Sequence, residues 1–518
     1  MRTLMITDAT ALARTGRPLH GHLAWVAEFE RAGAALGDLA AGGRLTRGLR
    51  AVIAHHILFH ANRAGLSTQD QHTLSHLAEE AVMGTDDRTA PAAEAVPADT
   101  TSTVSPAPGS ARADRAEALR HAWVERIRAD GHARAPGVEG ALRTVPRHLF
   151  VPEAPLADAY ADSPVHIKYA PDGTSISCAS QPGVVALMLD QLDARPGDRV
   201  LELGAGTGYN AALIGHLVGA TGHVTTMDVD ADLVEGARAH LVAAGVDNVE
   251  VVLGDGALGH APNAPYDRVI ATVGAHAIPR AWLEQLAPAG RLVAPQRLKG
   301  SVSRSIVWEH REGRWVSMGS AMNTFMPLRR GIADDERQLI PLSADGTVRL
   351  QAPAGIGADA EELAGVLEQP RTEVWTEMTV GAAESPEWME LFVSCALPSG
   401  LIRMLFPPEA KGGLLTADPY PSSTAALDKG TLAYLTRRPS PRTSPQGARL
   451  WEFGVAAHGP GAQDLAQRVA EAVRTWDRDY RGRAAHFELH DRTTPLEQAH
   501  PGRFVLDTPL NRVVVDFT

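Results

Sequence analysis

Between about residues 114 and 300, short runs rich in valine, leucine and isoleucine alternate with segments whose apolar positions recur every three to four residues. RVLELGAG (199–206), HVTTMDVD (223–230), VEVVLGDG (249–256), YDRVIATVG (266–274) and GRLVAPQ (290–296) read as strands. AALIGHLVG, ADLVEGARAHLVAAG and AWLEQLAP lie between them and read as helices. That rhythm predicts βαβ units on a mostly parallel sheet. Upstream, Leu49, Val52, Ile53, His56, Ile57 and His60 fall at helical spacing until Gly65 breaks the run, and residues 67–84 read as a second helix. Residues 86–113 hold no apolar side chain larger than alanine or proline except Val96 and Val104, a composition too poor in burial to offset ordering, and read as a flexible linker. Beyond 300, TVRLQAP, TEVWTEMTV, MELFVSCAL and RLWEFGVAAHG read as strands. Residues 462–477 read as an amphipathic helix with Leu465, Val469, Ala472, Val473 and Trp476 on one face. The expected organisation is a helical module (1–85), a linker (86–113), an α/β domain (114–305) and an α+β domain (306–518).

Composition narrows the function classes. The chain has 518 residues, enough for several domains, and a net charge of −12, which argues against nucleic acid as the main partner. No run of 18 apolar residues suggests a membrane span, and the first residues lack the apolar stretch of a secretory signal. The two cysteines, Cys178 and Cys395, form neither a ligand cluster nor a disulfide framework, so the chain reads as cytoplasmic.

The chemistry concentrates after the first strand of the α/β block. Glu202, Gly204, Gly206, Thr207 and Gly208 lie in a glycine-rich turn that opens a helix, where a ligand can approach the backbone closely. Asp228 ends the next strand, 20 residues after Gly208, where its carboxylate can accept both hydrogen bonds of a ribose diol. Asp255, followed by Gly256, ends the third strand, where it can accept from an adenine amino group. A carboxylate at Glu202 repels pyrophosphate but suits a sulfonium or an ammonium group, which favours S-adenosylmethionine over NAD. The competing reading makes these acids ordinary strand-end and capping residues.

Residues 120–300 resemble protein L-isoaspartate O-methyltransferases. The resemblance rests on Val145-Pro146-Arg147-His148-Leu149-Phe150-Val151-Pro152, Ala159-Tyr160-Ala161-Asp162, Ser180-Gln181-Pro182, the glycine turn, Gly254-Asp255-Gly256, Pro265-Tyr266-Asp267 and Ile270-Ala271-Thr272. It implies a Rossmann-like S-adenosylmethionine-dependent methyltransferase core. It maps the serine that lies over the acceptor carboxylate onto Ser180 and places Gln181 and Thr272 beside the substrate. Where the family usually has Thr-Ile-Ser-Gln-Pro, this chain has Cys178-Ala179-Ser180-Gln181-Pro182, a change of neighbours that bears on substrate preference. Residues 50–84 resemble the C-terminal segment of dehydratases that make lanthipeptides and thiopeptides. The 310–518 region, with Met322 to Arg330, resembles the extension of methyltransferases from gene clusters for ribosomal peptide natural products, the branch labelled the FxLD lanthipeptide system. Together these imply methylation of an aspartate in a modified, macrocyclic precursor peptide, leading to a succinimide or isoaspartate, with a lanthipeptide-type dehydratase as a possible partner. Repair of isoaspartate in damaged proteins is the alternative, and a peptide-presenting binding protein is an alternative of another class.

An aspartate carboxylate is ionised at neutral pH, so methyl transfer to it needs no general base, only alignment and exclusion of water. Ser180 is the expected polar contact to that carboxylate; helix N-capping is the duller role for it, and the two can coexist. His56/His60 and His72/His76 stand at zinc-ligand spacing, but nothing else supports a metal and none is expected. Trp375, Trp388, Trp451 and Trp476 fit core packing better than a peptide groove.

Overall fold

The structure, a computed structural model, describes residues 108–518 apart from 172, 174, 330–336, 354–355, 357–359, 382–383 and 422–423. The helical module expected over 1–85, its histidine pairs and most of the expected linker lie outside the described residues. Residues 108–113, expected as linker, instead begin helix α1 (Pro108–Ala129). Proline is tolerated in a first helical turn, alanine and arginine are good helix formers, and Ala116, Trp123, Val124 and Ile127 anchor the helix by burial. Helix α2 (Pro136–Thr144) joins the same apolar cluster through Ala141 and Leu142. Strands β1 (Val165–Tyr169) and β2 (Ser175–Ala179) form an antiparallel hairpin that feeds helix α3 (Pro182–Leu192).

The alternating block follows as read. Strand β3 (Arg199–Leu203) leads to α4 (Tyr209–Val218), β4 (His223–Asp228) to α5 (Ala231–Ala243), and then come β5 (Val249–Leu253) and β6 (Tyr266–Ala271). A short helix, α6 (Arg280–Glu284), precedes the long β7 (Leu286–Lys299). Strands β3 to β7 are parallel, in the spatial order β7-β6-β3-β4-β5. Residues 200–203 of β3 are buried, because helices or a second layer cover both faces of the sheet.

The boundary expected at 305 falls inside strand β8 (Val302–Arg311). This strand pairs antiparallel with β7 from Arg291↔Glu309 to Lys299↔Val302, so β7 is an interior strand and not a bare edge. The sheet continues through β9 (Arg314–Met322) and, after a long excursion of the chain, through β17 (His486–Asp491), β18 (Arg503–Asp507) and β19 (Asn511–Asp516). The result is ten strands in the order β18-β19-β17-β9-β8-β7-β6-β3-β4-β5.

The excursion is a second, antiparallel sheet. It is built from β10 (Arg337–Pro341), β11 (Arg349–Pro353), β12 (Thr372–Gly381), β13 (Ile402–Leu405), β14 (Thr424–Asp428), β15 (Thr431–Thr443) and β16 (Arg449–His458). MELFVSCAL, read as a strand, is instead part of helix α7 (Glu387–Ala396). Residues 389–394 are all buried, Glu390 and Ser394 included, so the run has no solvent-facing side by which its period can be told. Helix α8 (Ala462–Asp479) buries Leu465, Val469, Val473 and Trp476, while Ala472 is only half-buried. One core cluster runs from Leu201, Trp282 and Trp308 of the first layer to Phe453 of the second sheet and Phe392 and Val473 of helices α7 and α8. Three of the tryptophans are held by arginines: Arg438 lies 3.9 Å over Trp375, Arg304 3.8 Å over Trp388, and Arg437 and Arg449 flank Trp451. Among the described residues no helix is long and apolar enough to cross a membrane.

Candidate active site

Parallel strands β3 to β6 end along one edge of the sheet, and the strand order reverses between β3 and β6, the point at which open sheets of this kind carry a ligand crevice. The turn after β3 is shaped by its glycines. Gly204 has φ +108°, and a Cβ on it would stand 2.7 Å from Thr272 Oγ1 and 2.9 Å from Val273 Cγ1, so only glycine fits. Gly206 has φ +50°, and a Cβ placed there would meet a single atom, the Cys178 carbonyl oxygen, at an ordinary contact distance of 3.9 Å. A ligand can therefore reach the backbone at Gly206. Gly208 precedes α4 so close to α5 that a Cβ on it would meet Ala237 at 3.3 Å, and buried Thr207 accepts from His240 through its carbonyl at 3.0 Å.

Asp228 ends β4 as expected. Its Oδ2 accepts from the Gly206 N–H at 2.9 Å, and its Oδ1 from the N–H groups of Val229 and Asp230 at 2.8 and 3.3 Å. The carboxylate thus ties the glycine turn to the second strand while lying at the crevice. Asp255 takes the capping role weighed against ligand binding: its Oδ1 accepts from Ala257 N–H at 2.9 Å, while Oδ2 has no partner among the described residues. Gly256 lies under Leu328, which a Cβ there would meet at 3.4 Å. An open glycine turn between two strand-end carboxylates, one with a free oxygen, fits the ribose and base of a nucleoside cofactor.

Two of the expected contact residues have partners within the protein. Glu202, expected to face the cofactor's cation, is fully buried behind the turn, where its two oxygens accept from Asn210 Nδ2 at 2.7 Å and Thr226 Oγ1 at 2.6 Å. Burial pushes its carboxyl up to about 7, against the pull of those two hydrogen bonds. It braces the first turn of α4 from inside. Thr272, expected beside the substrate, turns its hydroxyl to the carbonyls of Leu203 and Gly204 at 3.1 and 2.7 Å and so holds the glycine turn.

Ser180 lies between β2 and α3, beside the glycine turn. It does not cap α3: the N-cap position is Gln181, whose side chain makes no capping bond. Asp162 caps the helix from a distance, accepting from Gly183 N–H and from Gln181 Nε2, each at 2.8 Å. Arg147, fully buried, holds the Ser180 segment from behind by donating Nη2 to the carbonyls of Ala179 and Ser180 at 3.1 and 3.0 Å. Its guanidinium stacks 5.0 Å from the Tyr209 ring at the start of α4, so one side chain joins the Ser180 segment to the glycine turn. Arg147 and Asp162 lie in motifs visible in the chain, but no spacing rule links them to residues 19 to 33 positions away. The Cys178 thiol, half-buried, is pushed up by burial and stays protonated.

Residues 118–331 match the family described as protein-L-isoaspartate(D-aspartate) O-methyltransferase. A protein-L-isoaspartate O-methyltransferase of Archaeoglobus fulgidus is 45% identical over 192 residues, 36% of this chain and 83% of that one. The chain belongs to the protein-L-isoaspartate O-methyltransferase family. It is a carboxyl O-methyltransferase, and its cofactor is S-adenosylmethionine. A second family member, from Leptothrix cholodnii, is 40% identical over 224 residues, 42% of this chain and 76% of that one. A Plasmodium falciparum structure titled as a protein-L-isoaspartate O-methyltransferase in complex with S-adenosyl-L-homocysteine overlays with a TM-score of 0.35 at 18% identity, over 40% of this chain and 98% of that one. The family match ends before the second sheet, which begins at β10.

Proposed function

We propose that this methyltransferase esterifies the free carboxylate of an L-isoaspartyl residue in a peptide or protein, with Ser180 as the contact to that carboxylate. The names of the two relatives support the isoaspartyl acceptor over the modified-peptide reading of the sequence. The observation that carries the role of Ser180 is the passage of the β2 end over the open glycine turn, with the Cys178 carbonyl 3.9 Å from the Gly206 Cβ position. It brings the acceptor segment and the donor turn side by side.

The cofactor, when bound, supplies an electrophilic methyl on a sulfonium. The protein's task is then positional. Asp228 and the turn at Gly204–Gly208 orient the donor, and Ser180, held by Arg147, donates a hydrogen bond that fixes the acceptor without taking its charge. No group needs to remove a proton, because the carboxylate is already ionised at neutral pH. The test is tritiated methyl transfer to a synthetic isoaspartyl peptide and to its aspartyl twin. Transfer to the first alone is expected, and transfer to neither overturns the reading.

One observation favours a second reading. The second sheet and α7–α8 lie beyond the family match yet share a continuous core with the catalytic sheet. A protein-repair enzyme has little use for such an addition, whereas it suits recognition of a particular peptide. In this reading residues 306–518 hold a ring-containing ribosomal peptide whose aspartate is methylated and then closes to the imide with loss of methanol.

A further inference from the structure

Two elements from opposite sides of the chain meet over the cofactor crevice, and both are tied to one carboxylate that the sequence does not single out. The first is the strap 323–329, which leaves β9 and crosses the carboxyl edge of the sheet. It is pinned to the exit of β6 by hydrogen bonds from Gly274 N–H to the Met326 carbonyl at 2.7 Å and from Leu328 N–H to the Gly274 carbonyl at 2.8 Å. Its Leu328 is buried against Gly256, next to Asp255, and its Arg329 reaches Asp230 Oδ2 at 2.7 Å. The second is the β1–β2 hairpin, which leads into Ser180. Its Lys168 Nζ lies 3.0 Å from the same Asp230 Oδ2 and 2.6 Å from Asp232 Oδ1.

Asp230 is well placed to join them. Its side chain is only 15% exposed, against 65% for Asp232, so its pairs are the less screened. Its own N–H donates to Asp228 Oδ1 at 3.3 Å, which couples it to the acid of the cofactor crevice. Burial raises the Asp230 carboxyl, but the Arg329 and Lys168 contacts outweigh it and hold the group below its ordinary range.

We propose that Asp230 is a positioning residue that latches the strap and the hairpin together across the crevice, so that the cofactor enters and its product leaves only when the Lys168 and Arg329 pairs open. The inference rests on the cofactor assignment above but not on the identity of the acceptor. The latch separates two jobs: Asp228 and the glycine turn hold the ligand, and Asp230 sets how long the roof stays shut.

The test is stopped-flow release of S-adenosyl-L-homocysteine from the full-length chain at two ionic strengths, with thermal unfolding as a check on folding. Asp230→Asn keeps the shape and loses both pairs; it is expected to speed release about tenfold and to remove most of the salt dependence. Lys168→Met and Arg329→Met should each speed release about threefold, with Lys168→Arg and Arg329→Lys restoring the parent rate. In the Asp230→Asn background Arg329→Met should add nothing further, and Lys168→Met, which also removes the exposed Lys168–Asp232 pair, should add less than it does alone. Release unchanged in a folded Asp230→Asn protein would overturn the latch while leaving the cofactor assignment intact. So would single effects that persist at full size in that background. A parent chain that does not hold S-adenosyl-L-homocysteine at all would overturn both.

Discussion

Replacing Glu202 by glutamine tests whether this acid is an internal brace or a ligand contact. In the folded protein its carboxyl is pushed from an ordinary 4.5 up to about 7 by complete burial, opposed by Thr226 and Asn210. The unfolded chain therefore releases this proton near pH 4.5, while the folded protein keeps it until near pH 7. Below that window the group costs nothing; as pH rises through it, the folded state loses stability, and above it the loss is complete. At about 1.4 kcal/mol for each pH unit of displacement, the full loss is about 3 kcal/mol. Glutamine cannot ionise, and it can still accept from Asn210 while the Thr226 hydroxyl turns to accept from its amide, at a cost of about 1 kcal/mol. Urea unfolding of parent and variant between pH 5 and 8 checks this. The difference in unfolding free energy should shift in the variant's favour by about 2–3 kcal/mol across that range. A difference that stays constant with pH would refute the burial argument. Affinity for S-adenosylmethionine should change only a few-fold, since loss of a carboxylate in contact with the cofactor's sulfonium or ammonium would cost tenfold or more.

Ser180→Ala should lower kcat for methyl transfer about tenfold or more while cofactor affinity, measured by calorimetry, stays within twofold. Asp228→Ala should weaken cofactor binding itself by at least tenfold in the same titration, since it removes a charged acceptor and frees the Gly206 turn. Gly204→Ala should destabilise the fold by about 2–3 kcal/mol in urea, because the new methyl meets Thr272 and the backbone is left-handed there. Arg147→Met should lower transfer about tenfold while changing stability by less than about 1–2 kcal/mol, since a buried guanidinium with two unpartnered nitrogens is removed along with its bonds.

The alternating strands and helices were legible because parallel strands buried on both faces leave long β-branched runs, and the helices between them keep a polar face. Helix α7 was not, since burial on every side erased its period. The boundary expected at 305 falls within β8 because the continuation of the sheet through β8 depends on long-range pairing that no local pattern encodes. At the site, Asp228, Asp255 and the glycines stand where spacing put them. Glu202 and Thr272 are a different case. Their residue types were visible, but the direction in which each side chain turns is decided by Asn210, Thr226 and the Gly204 carbonyl. Arg147, Asp162 and Asp230 act across tens of residues, and only the fold reveals their partners.

The central claim, that this chain methylates an isoaspartyl carboxylate, is tested most directly by mass spectrometry. An isoaspartyl peptide, its aspartyl twin and a ring-containing ribosomal peptide would each be incubated with the full-length protein and S-adenosylmethionine. A methyl gain on the isoaspartyl peptide, followed by loss of methanol, is the predicted result. A gain confined to the ring-containing peptide would contradict it and make the second sheet a reader of peptide shape.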